Sequence, residues 1–142
     1  MKKIIDEERT RRYEEKIELA LKRLETIEND FENIDKEIIR LGIYKAFQEI
    51  IEVITDIFAM LLIDNKKSAG DDYSNIDKVK EIISFSDGEI EILKEANGLR
   101  NRVIHKYNKT DDVIARESIE NMLPLLKIII GKIEDEVNKF KV

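Results

Sequence analysis

Apolar residues recur at steps of three and four along almost the whole chain, and residues that interrupt helices are rare. The sequence contains five glycines and one proline in 142 residues. Isoleucine, leucine, glutamate and lysine dominate it, which favours helices over strands. A spacing of three and four places apolar side chains on one face of a helix. The pattern therefore predicts an all-α protein, an antiparallel four-helix bundle with one additional short helix.

The spacing predicts five helices separated by short polar connections. They span residues 4–34, 36–63, 73–85, 87–105 and a last helix from Thr110 or Asp111 to about Lys139, with a flexible polar loop over residues 64–72. Ser86 and Glu89 match a capping box at the start of the fourth helix. Pro124 lies inside the last helix, where it should bend or split it. Short connections favour antiparallel neighbours, so we expect residues 1–142 to form a single domain.

The second predicted helix is the most apolar part of the chain, which is typical of the central helix of a bundle. A polar line interrupts it, formed by Gln48, Glu52, Thr55 and Asp56. Acids inside a packed bundle are costly unless a cation pairs with them. The polar line therefore either meets solvent or faces a cation from another helix.

Composition excludes several kinds of chemistry. The chain has no cysteine, so disulfides, thiolate metal sites and cysteine nucleophiles are excluded. No metal-ligand cluster is visible, and we expect no metal or other cofactor. No apolar run reaches the roughly 18 residues of a membrane span, and the N-terminus lacks the apolar core of a signal peptide, so a cytoplasmic protein without a membrane partner is expected. A net charge of −6 argues against broad binding to nucleic acid, and no DNA partner is expected.

The residues that could carry chemistry are concentrated in one segment, Arg100-Asn101-Arg102-Val103-Ile104-His105-Lys106-Tyr107. His105 is the only histidine of the chain. At about 100° per residue, Arg100 falls on the apolar face of the fourth helix. A buried guanidinium needs a counter-ion, or a cleft or interface that a phosphate can enter. We nominate Glu52 and Asp56 of the second helix as the counter-ions.

His105 lies near the predicted end of its helix, where the helix dipole favours the imidazolium form. Asn101 lies four residues earlier on the same face, so it can hold one ring nitrogen and fix the tautomer. Five basic residues around them stand against the single acid Glu95: Lys94, Arg100, Arg102, Lys106 and Lys109. Such a patch can recruit an anion, and a twofold dimer would double it. A structural histidine, and helix-end cations that merely complement the dipole, are the alternatives.

The motif Arg-Asn-x-x-x-His-x-Tyr at the end of the penultimate long helix resembles the HEPN superfamily. More narrowly, it resembles the HepT-like branch, whose signature is Arg-x4-His-x-Tyr. The match lies at Arg100, His105 and Tyr107, with the frequent asparagine at Asn101. The apolar second helix with its internal acids, the loop to Tyr73, the short third helix and the long last helix also match. The resemblance covers most of the chain and implies an HEPN-like bundle.

The resemblance also implies a function. Members of the HepT-like branch resemble metal-independent endoribonucleases that act as homodimers, with the two motifs meeting at a cleft across the interface. Many of them act as toxins of type VII toxin–antitoxin pairs, and an MntA-like minimal nucleotidyltransferase is the antitoxin, which adenylylates the motif tyrosine, here Tyr107. Arg100 and His105 are then expected to be catalytic. Asn101, Glu52 and Asp56 would support them, and Arg102, Lys106 and Lys109 would contact phosphate or RNA.

Two other functions remain open. In one, a non-catalytic bundle docks a nucleotidyltransferase, and Arg100 and His105 bind a nucleotide or hold the interface together. In the other, the chain is a helical adaptor whose motif is purely structural. The complete motif favours the nuclease, whereas the acidic net charge and the absence of a long basic face favour the binding module.

Overall fold

The helices that the sequence predicts are present in the computed structural model, which describes residues 5–105 and 109–140. For residues 103–105 and 109–111 the description covers the backbone only. The α-helices follow in the order α1 (Glu7–Asp30), α2 (Glu37–Asp64), α3 (Asp72–Val79), α4 (Asp87–His105) and α5 (Lys109–Asn138), with a 3-10 turn over Phe31–Asn33 between α1 and α2. The described residues contain no strand, so the predicted all-α helical bundle is confirmed.

Helix α2 lies at the centre of the bundle because its side chains are apolar on nearly every face. Half of its 28 residues are buried. Helices α1, α3 and α4 pack against it, and α5 closes the bundle by packing against α1 and α4. Full burial of one large aliphatic or aromatic side chain stabilises a fold by roughly 1.5–3 kcal/mol. The burial of α2 is therefore a main source of stability.

Interhelical ion pairs give the directions of the helices. Residue numbers rise along α1 as they fall along its neighbours: Arg9 pairs with Asp64 and Arg23 with Glu49 of α2, and the contacts Ile5–Phe140, just outside the helix ends, and Glu28–Lys127 join α1 to α5. Glu89, in the first turn of α4, pairs with Lys132 in the last third of α5. Helix α1 is therefore antiparallel to α2 and α5, and α4 is antiparallel to α5, as the short connections predict for α1–α2 and α4–α5.

A buried tyrosine fixes the start of α1 against the end of α2. The Tyr13 hydroxyl donates to Oδ2 of Asp64 over 2.6 Å, and Nε of Arg9 donates to the same oxygen over 2.9 Å. Burial raises the pKa of Tyr13, and the hydrogen bond to Asp64 raises it further. The phenol therefore stays protonated and remains a donor, which keeps the two helix ends together.

Helix α3 is shorter than the sequence predicts. The predicted helix spans residues 73–85, whereas α3 begins at Asp72 and ends at Val79. The backbone N–H groups of Ile82 and Ile83 both donate to the carbonyl of Val79, each over 2.9 Å. Because these two N–H groups share one carbonyl acceptor, the regular series of helical hydrogen bonds ends here in a turn. The turn still buries Ile83, which explains why the apolar spacing continues beyond the helix.

The connection between α2 and α3, which the sequence predicts to be a flexible loop, is tied down at its end. The backbone N–H of Gly70 donates to Oδ1 of Asn75 over 2.7 Å. The Asn75 amide donates back to the carbonyl of Gly70 over 3.1 Å. Asn75 is buried, so this pair of hydrogen bonds anchors the connection to the body of α3.

Pro124 does not split α5, which is continuous from Lys109 to Asn138. Proline removes one backbone donor and crowds the preceding turn. Here the proline lies on the exposed side of the helix, where water can satisfy the freed carbonyl. Met122 and Leu126 on either side are buried and hold both halves against the core. The predicted split is wrong, and the predicted bend stays a prediction.

The predicted capping box at the start of α4 is confirmed. The backbone N–H of Glu89 donates to Oγ of Ser86 over 3.1 Å, and the N–H of Ser86 donates to Oε1 of Glu89 over 2.7 Å. The same carboxylate oxygen accepts from Nζ of Lys132 on α5 over 2.6 Å. Burial disfavours the charged form of Glu89, which is 5% exposed, but the hydrogen bonds from Lys132 and Ser86 outweigh burial and lower its pKa.

Replacing Glu89 with glutamine should keep the capping geometry and remove the charge that Lys132 meets. We expect the free energy of unfolding at neutral pH to fall by about 1–2 kcal/mol, the contribution of a hydrogen bond between charged groups at a partly exposed site. Because the folded pKa of Glu89 lies below the unfolded value, this stability is present above the unfolded pKa. It is lost as the pH falls through the folded pKa. Urea unfolding at several pH values measures both effects.

The matched control is Glu91→Gln, an exposed glutamate in the same turn of α4. It should change the free energy of unfolding little at any pH. The difference in the free energy of unfolding between the wild type and Glu89→Gln should become smaller at low pH. A difference that stays constant from neutral pH to about pH 3 would show that the charge of Glu89 is unimportant.

Candidate functional site

Arg100 lies on α4 at the margin of the core, and not on the solvent face of the helix. Its side chain is 14% exposed. Leu93, Ala96 and Leu99 on the same helix are buried. A guanidinium in such a position needs partners for its donors, because an unpaired buried charge is costly.

Asp72, in the first turn of α3, is the acid that pairs with Arg100. Nη2 of Arg100 lies 3.2 Å from Oδ2 of Asp72, and the carboxylate is about a third exposed. Helix α3 packs against both α2 and α4, so its first turn reaches the guanidinium. The structure thus corrects the predicted counter-ions, since the acid beside Arg100 is Asp72 and neither Glu52 nor Asp56.

The two acids nominated from α2 make other contacts. Oε1 of Glu52 accepts from the amide of Gln48 over 3.1 Å. Asp56 is exposed and lies 3.5 Å from Nζ of Lys16 on α1. The hydroxyl of Thr55 donates to backbone carbonyls one turn earlier in its own helix. The outcome for the polar line is mixed: Asp56 meets both solvent and a cation of α1, whereas Thr55 is buried and hydrogen-bonded within its own helix.

Asn101 is exposed and also contacts the guanidinium. Its Oδ1 accepts from Nε of Arg100 over 3.4 Å and from Nη2 over 3.1 Å. Arg100 is thus held from two sides, by an amide of its own helix and by Asp72 of α3. The predicted contact of Asn101 with the imidazole of His105 stays a prediction, because that side chain lies outside the described part.

The end of the motif is described only in part. His105 is the last residue of α4, at the position where the sequence predicts the helix to end. Lys106 and Tyr107 lie outside the described residues, and Lys109 begins α5 without a described side chain. Arg102 is exposed at the end of α4. The structure brings the side chains of Arg100 and Asn101 together. The placement of the side chains of His105, Lys106, Tyr107 and Lys109 stays a prediction from the sequence.

The basic patch around the motif is partly neutralised by α3. Nζ of Lys94 lies 2.8 Å from Oδ1 of Asp77, and this hydrogen bond lowers the pKa of Asp77. Arg100 is paired with Asp72 in the same way. Two of the five cations counted from sequence therefore meet acids within the chain. The positive charge offered to a ligand is smaller than the sequence count indicates.

Sequence analysis missed the first turn of α3 as part of the site. Asp71 caps this helix by accepting from a backbone N–H over 2.8 Å. The cap places Asp72 at Arg100 and Tyr73 alongside α4, where a Cβ added to Gly98 would lie 3.4 Å from the tyrosine hydroxyl. Two acids before an apolar helical pattern are a common start signal. That signal predicts Asp71 as the N-cap and Asp72 as the first residue of the helix.

No group of three or more histidine, aspartate or glutamate side chains in the described ranges is placed to hold a metal ion. Among the described helices, none has a stretch of the length and apolarity that crossing a bilayer requires. Asp72 and Asp77 of α3 each face a basic side chain of α4.

Comparison with known proteins identifies the family. The profile of the HepT-like family, described as "Ribonuclease HepT-like", matches residues 13–133. A protein of Archaeoglobus fulgidus named "Putative RNase" is 35% identical over 133 residues, which cover 94% of this chain and 98% of the relative. A second protein of that organism with the same name is 35% identical over 103 residues, or 72% of this chain and 76% of the relative. No solved structure matches the chain. The chain therefore belongs to the HepT-like ribonuclease family.

Proposed function

We propose that the protein is a metal-independent endoribonuclease, the cytoplasmic toxin of a type VII (HepT/MntA-like) toxin–antitoxin pair. The observation that carries the proposal is an arginine held in place five residues before the only histidine, on one helix. Asp72 and Asn101 hold Arg100 by its Nη2 and Nε atoms. Family membership and the names of the two relatives support RNA as the substrate.

The proposed reaction uses the 2′-hydroxyl of the RNA itself. A general base removes the 2′ proton, the 2′ oxygen attacks the adjacent phosphorus, and the bond to the 5′ oxygen breaks. A general acid protonates the leaving oxygen, which gives a 2′,3′-cyclic phosphate and a 5′-hydroxyl end. The imidazole of His105 suits proton transfer because its ordinary pKa is near neutrality. Arg100 stabilises the charge that develops on the phosphoryl oxygens.

The geometry of a single helix favours a site shared by two copies of the chain. Five residues turn through about 500°, so the side chains of Arg100 and His105 leave the helix axis about 140° apart. One phosphate cannot easily meet both from the same chain. A homodimer with the two motifs facing each other can supply Arg100 from one copy and His105 from the other.

Other basic residues of the motif region would bind the RNA backbone. Arg102, Lys106 and Lys109 follow Arg100 along the chain, and Arg102 is exposed. Cations at these positions would contact phosphates on either side of the cleaved bond. Glu52 and Asp56 lose their proposed supporting role, because their described contacts lie with Gln48 and Lys16.

Regulation would act on Tyr107. An MntA-like nucleotidyltransferase would transfer AMP from ATP to the tyrosine hydroxyl and release pyrophosphate. Tyr107 lies two residues after His105, so the added group would sit beside the motif. A bulky anion there would neutralise the cations of the cleft and block the entry of RNA.

A non-catalytic binding module is the second candidate function. The observation that favours it is the pairing of Lys94 with Asp77 and of Arg100 with Asp72, which limits the charge available to RNA. In this alternative Arg100 and His105 hold a nucleotide or a nucleotidyltransferase. Cleavage assays separate the two functions, since a binding module leaves RNA intact.

Purified protein should cleave RNA in excess chelator, leaving 2′,3′-cyclic phosphate ends. Arg100→Ala and His105→Ala should each lower the rate by about 100-fold or more, as expected when a catalytic proton donor or a phosphate clamp is lost. Arg11→Ala, which changes an exposed arginine on α1, is the matched control. Intact RNA with the wild type, or equal cleavage by His105→Ala, would rule out the nuclease.

The shared site predicts complementation between inactive variants. Dimers that combine an Arg100→Ala chain with a His105→Ala chain should regain part of the activity, because one intact Arg100 faces one intact His105. Each variant alone should stay inactive. Co-expression of two differently tagged chains, followed by tandem purification, provides the mixed dimer. No gain over the parents would indicate that each chain carries its site alone.

Adenylylation predicts a change in mass. After incubation with the nucleotidyltransferase and ATP, the intact mass should rise by one or more adenylyl units, and cleavage of RNA should stop. Tyr107→Phe should abolish the rise, whereas Tyr73→Phe, at an exposed tyrosine, should not. A rise that survives Tyr107→Phe would assign the modification to another residue.

A further inference from the structure

We propose that Tyr73 is a stacking platform for an unpaired nucleobase of the RNA strand whose phosphate Arg100 binds. The proposal rests on the function proposed above and adds the class of substrate, single-stranded RNA as opposed to a duplex. It assigns a binding role to α3, which lies outside the motif.

Tyr73 differs from the other described aromatic residues in its exposure. Its side chain is 44% exposed, whereas Tyr13 and Tyr44 are buried. No other aromatic residue in the described part of the chain is more than about a third exposed. The ring of Tyr73 is therefore the aromatic surface that the described residues offer to a ligand.

The ring borders the same helix junction as the guanidinium of Arg100. Tyr73 follows Asp72, which lies 3.2 Å from Arg100. The hydroxyl of Tyr73 lies beside Gly98, two residues before the motif, at 3.4 Å from the position of an added Cβ. Because Gly98 has no side chain, the tyrosine can lie close to α4. A cation and an aromatic ring thus both lie at the α3–α4 junction.

This pairing of groups suits a single strand of RNA. Proteins bind unpaired strands by holding phosphates with cations and stacking bases on aromatic side chains. Stacking accepts any base, since every base has a π-face. In a duplex the bases are paired and stacked on each other, so the ring would have no base to meet. With Arg100 and Lys94 partly neutralised, stacking also supplies binding that charge does not.

Binding of an uncleavable strand tests the platform without cleavage. The probe is a fluorescein-labelled oligoadenylate of about eight nucleotides with 2′-O-methyl riboses, which lack the attacking hydroxyl. Tyr73→Leu should weaken binding roughly five- to hundred-fold, the range for losing one stacked base, while Tyr73→Phe keeps the ring and most of the affinity. Ile128→Ala, at an exposed apolar residue of α5, is the matched control and should bind as the wild type does.

A tryptophan at this position reports stacking directly. The chain contains no tryptophan, so Tyr73→Trp has a single indole emitter. Its fluorescence should be quenched by the oligoadenylate and should change little with an abasic strand of equal length or with a duplex. Circular dichroism of each variant verifies that the helices are intact.

The outcomes separate the platform from the nuclease. Equal affinity of wild type and Tyr73→Leu, or equal quenching by the abasic strand, overturns the platform, and cleavage by the wild type then still supports the nuclease. A wild type that binds the strand through Tyr73 but does not cut RNA supports the platform and contradicts the nuclease. A wild type that binds no single-stranded RNA overturns the platform, and the cleavage assay then decides the nuclease separately.

Discussion

The burial of α2 on almost every side is the constraint on which the bundle depends. A helix with half of its residues in the core cannot be covered by one neighbour, and α1, α3 and α4 share the task. Helix α3 is only eight residues long, yet it buries Ile76 and Val79 completely. Its position is therefore determined by the space left between α2 and α4.

The position of α3 in turn determines the surroundings of Arg100. Asp72, Ile76 and Val79 are spaced by four and three residues, so they share one face of the helix. The face that enters the core through its apolar members thus ends in a carboxylate at the guanidinium. Tyr73, one residue on, turns about 100° away and stays exposed. Core packing and the candidate site are connected through this one helix.

Features that depend on local spacing could be predicted from the sequence. The number and type of the helices follow from apolar periodicity, and the Ser86–Glu89 capping box spans only four residues. Features that depend on long-range contacts could not. Asp72 and Arg100 are 28 positions apart, and a helical wheel gives the direction of a side chain but not its neighbour. From the spacing of residues alone, Glu52 is as plausible a partner for Arg100 as Asp72, and only the packing of α3 against α4 distinguishes them.

Some ends of helices also could not be predicted from the sequence, because apolar spacing can continue beyond the last residue of the helix. Ile83 belongs to the core through a turn, although its spacing is helical. Pro124 shows the opposite case, since a residue that usually interrupts a helix lies within a continuous one. In both cases tertiary packing determines the backbone conformation. Burial of Ile83 stabilises the turn after α3, and burial of Met122 and Leu126 stabilises the continuous helix at Pro124.

The pairing of Arg100 with Asp72 bears on how an acidic protein would bind RNA. A net charge of −6 weakens the long-range attraction that recruits nucleic acid. The described contacts of the guanidinium use Nε and Nη2, and a guanidinium carries donors on three nitrogens. A phosphate can therefore join this arginine without displacing Asp72. It would meet a side chain already fixed in place, which reduces the entropy lost on binding. Selectivity would then come from short-range geometry at the α3–α4 junction, more than from surface charge.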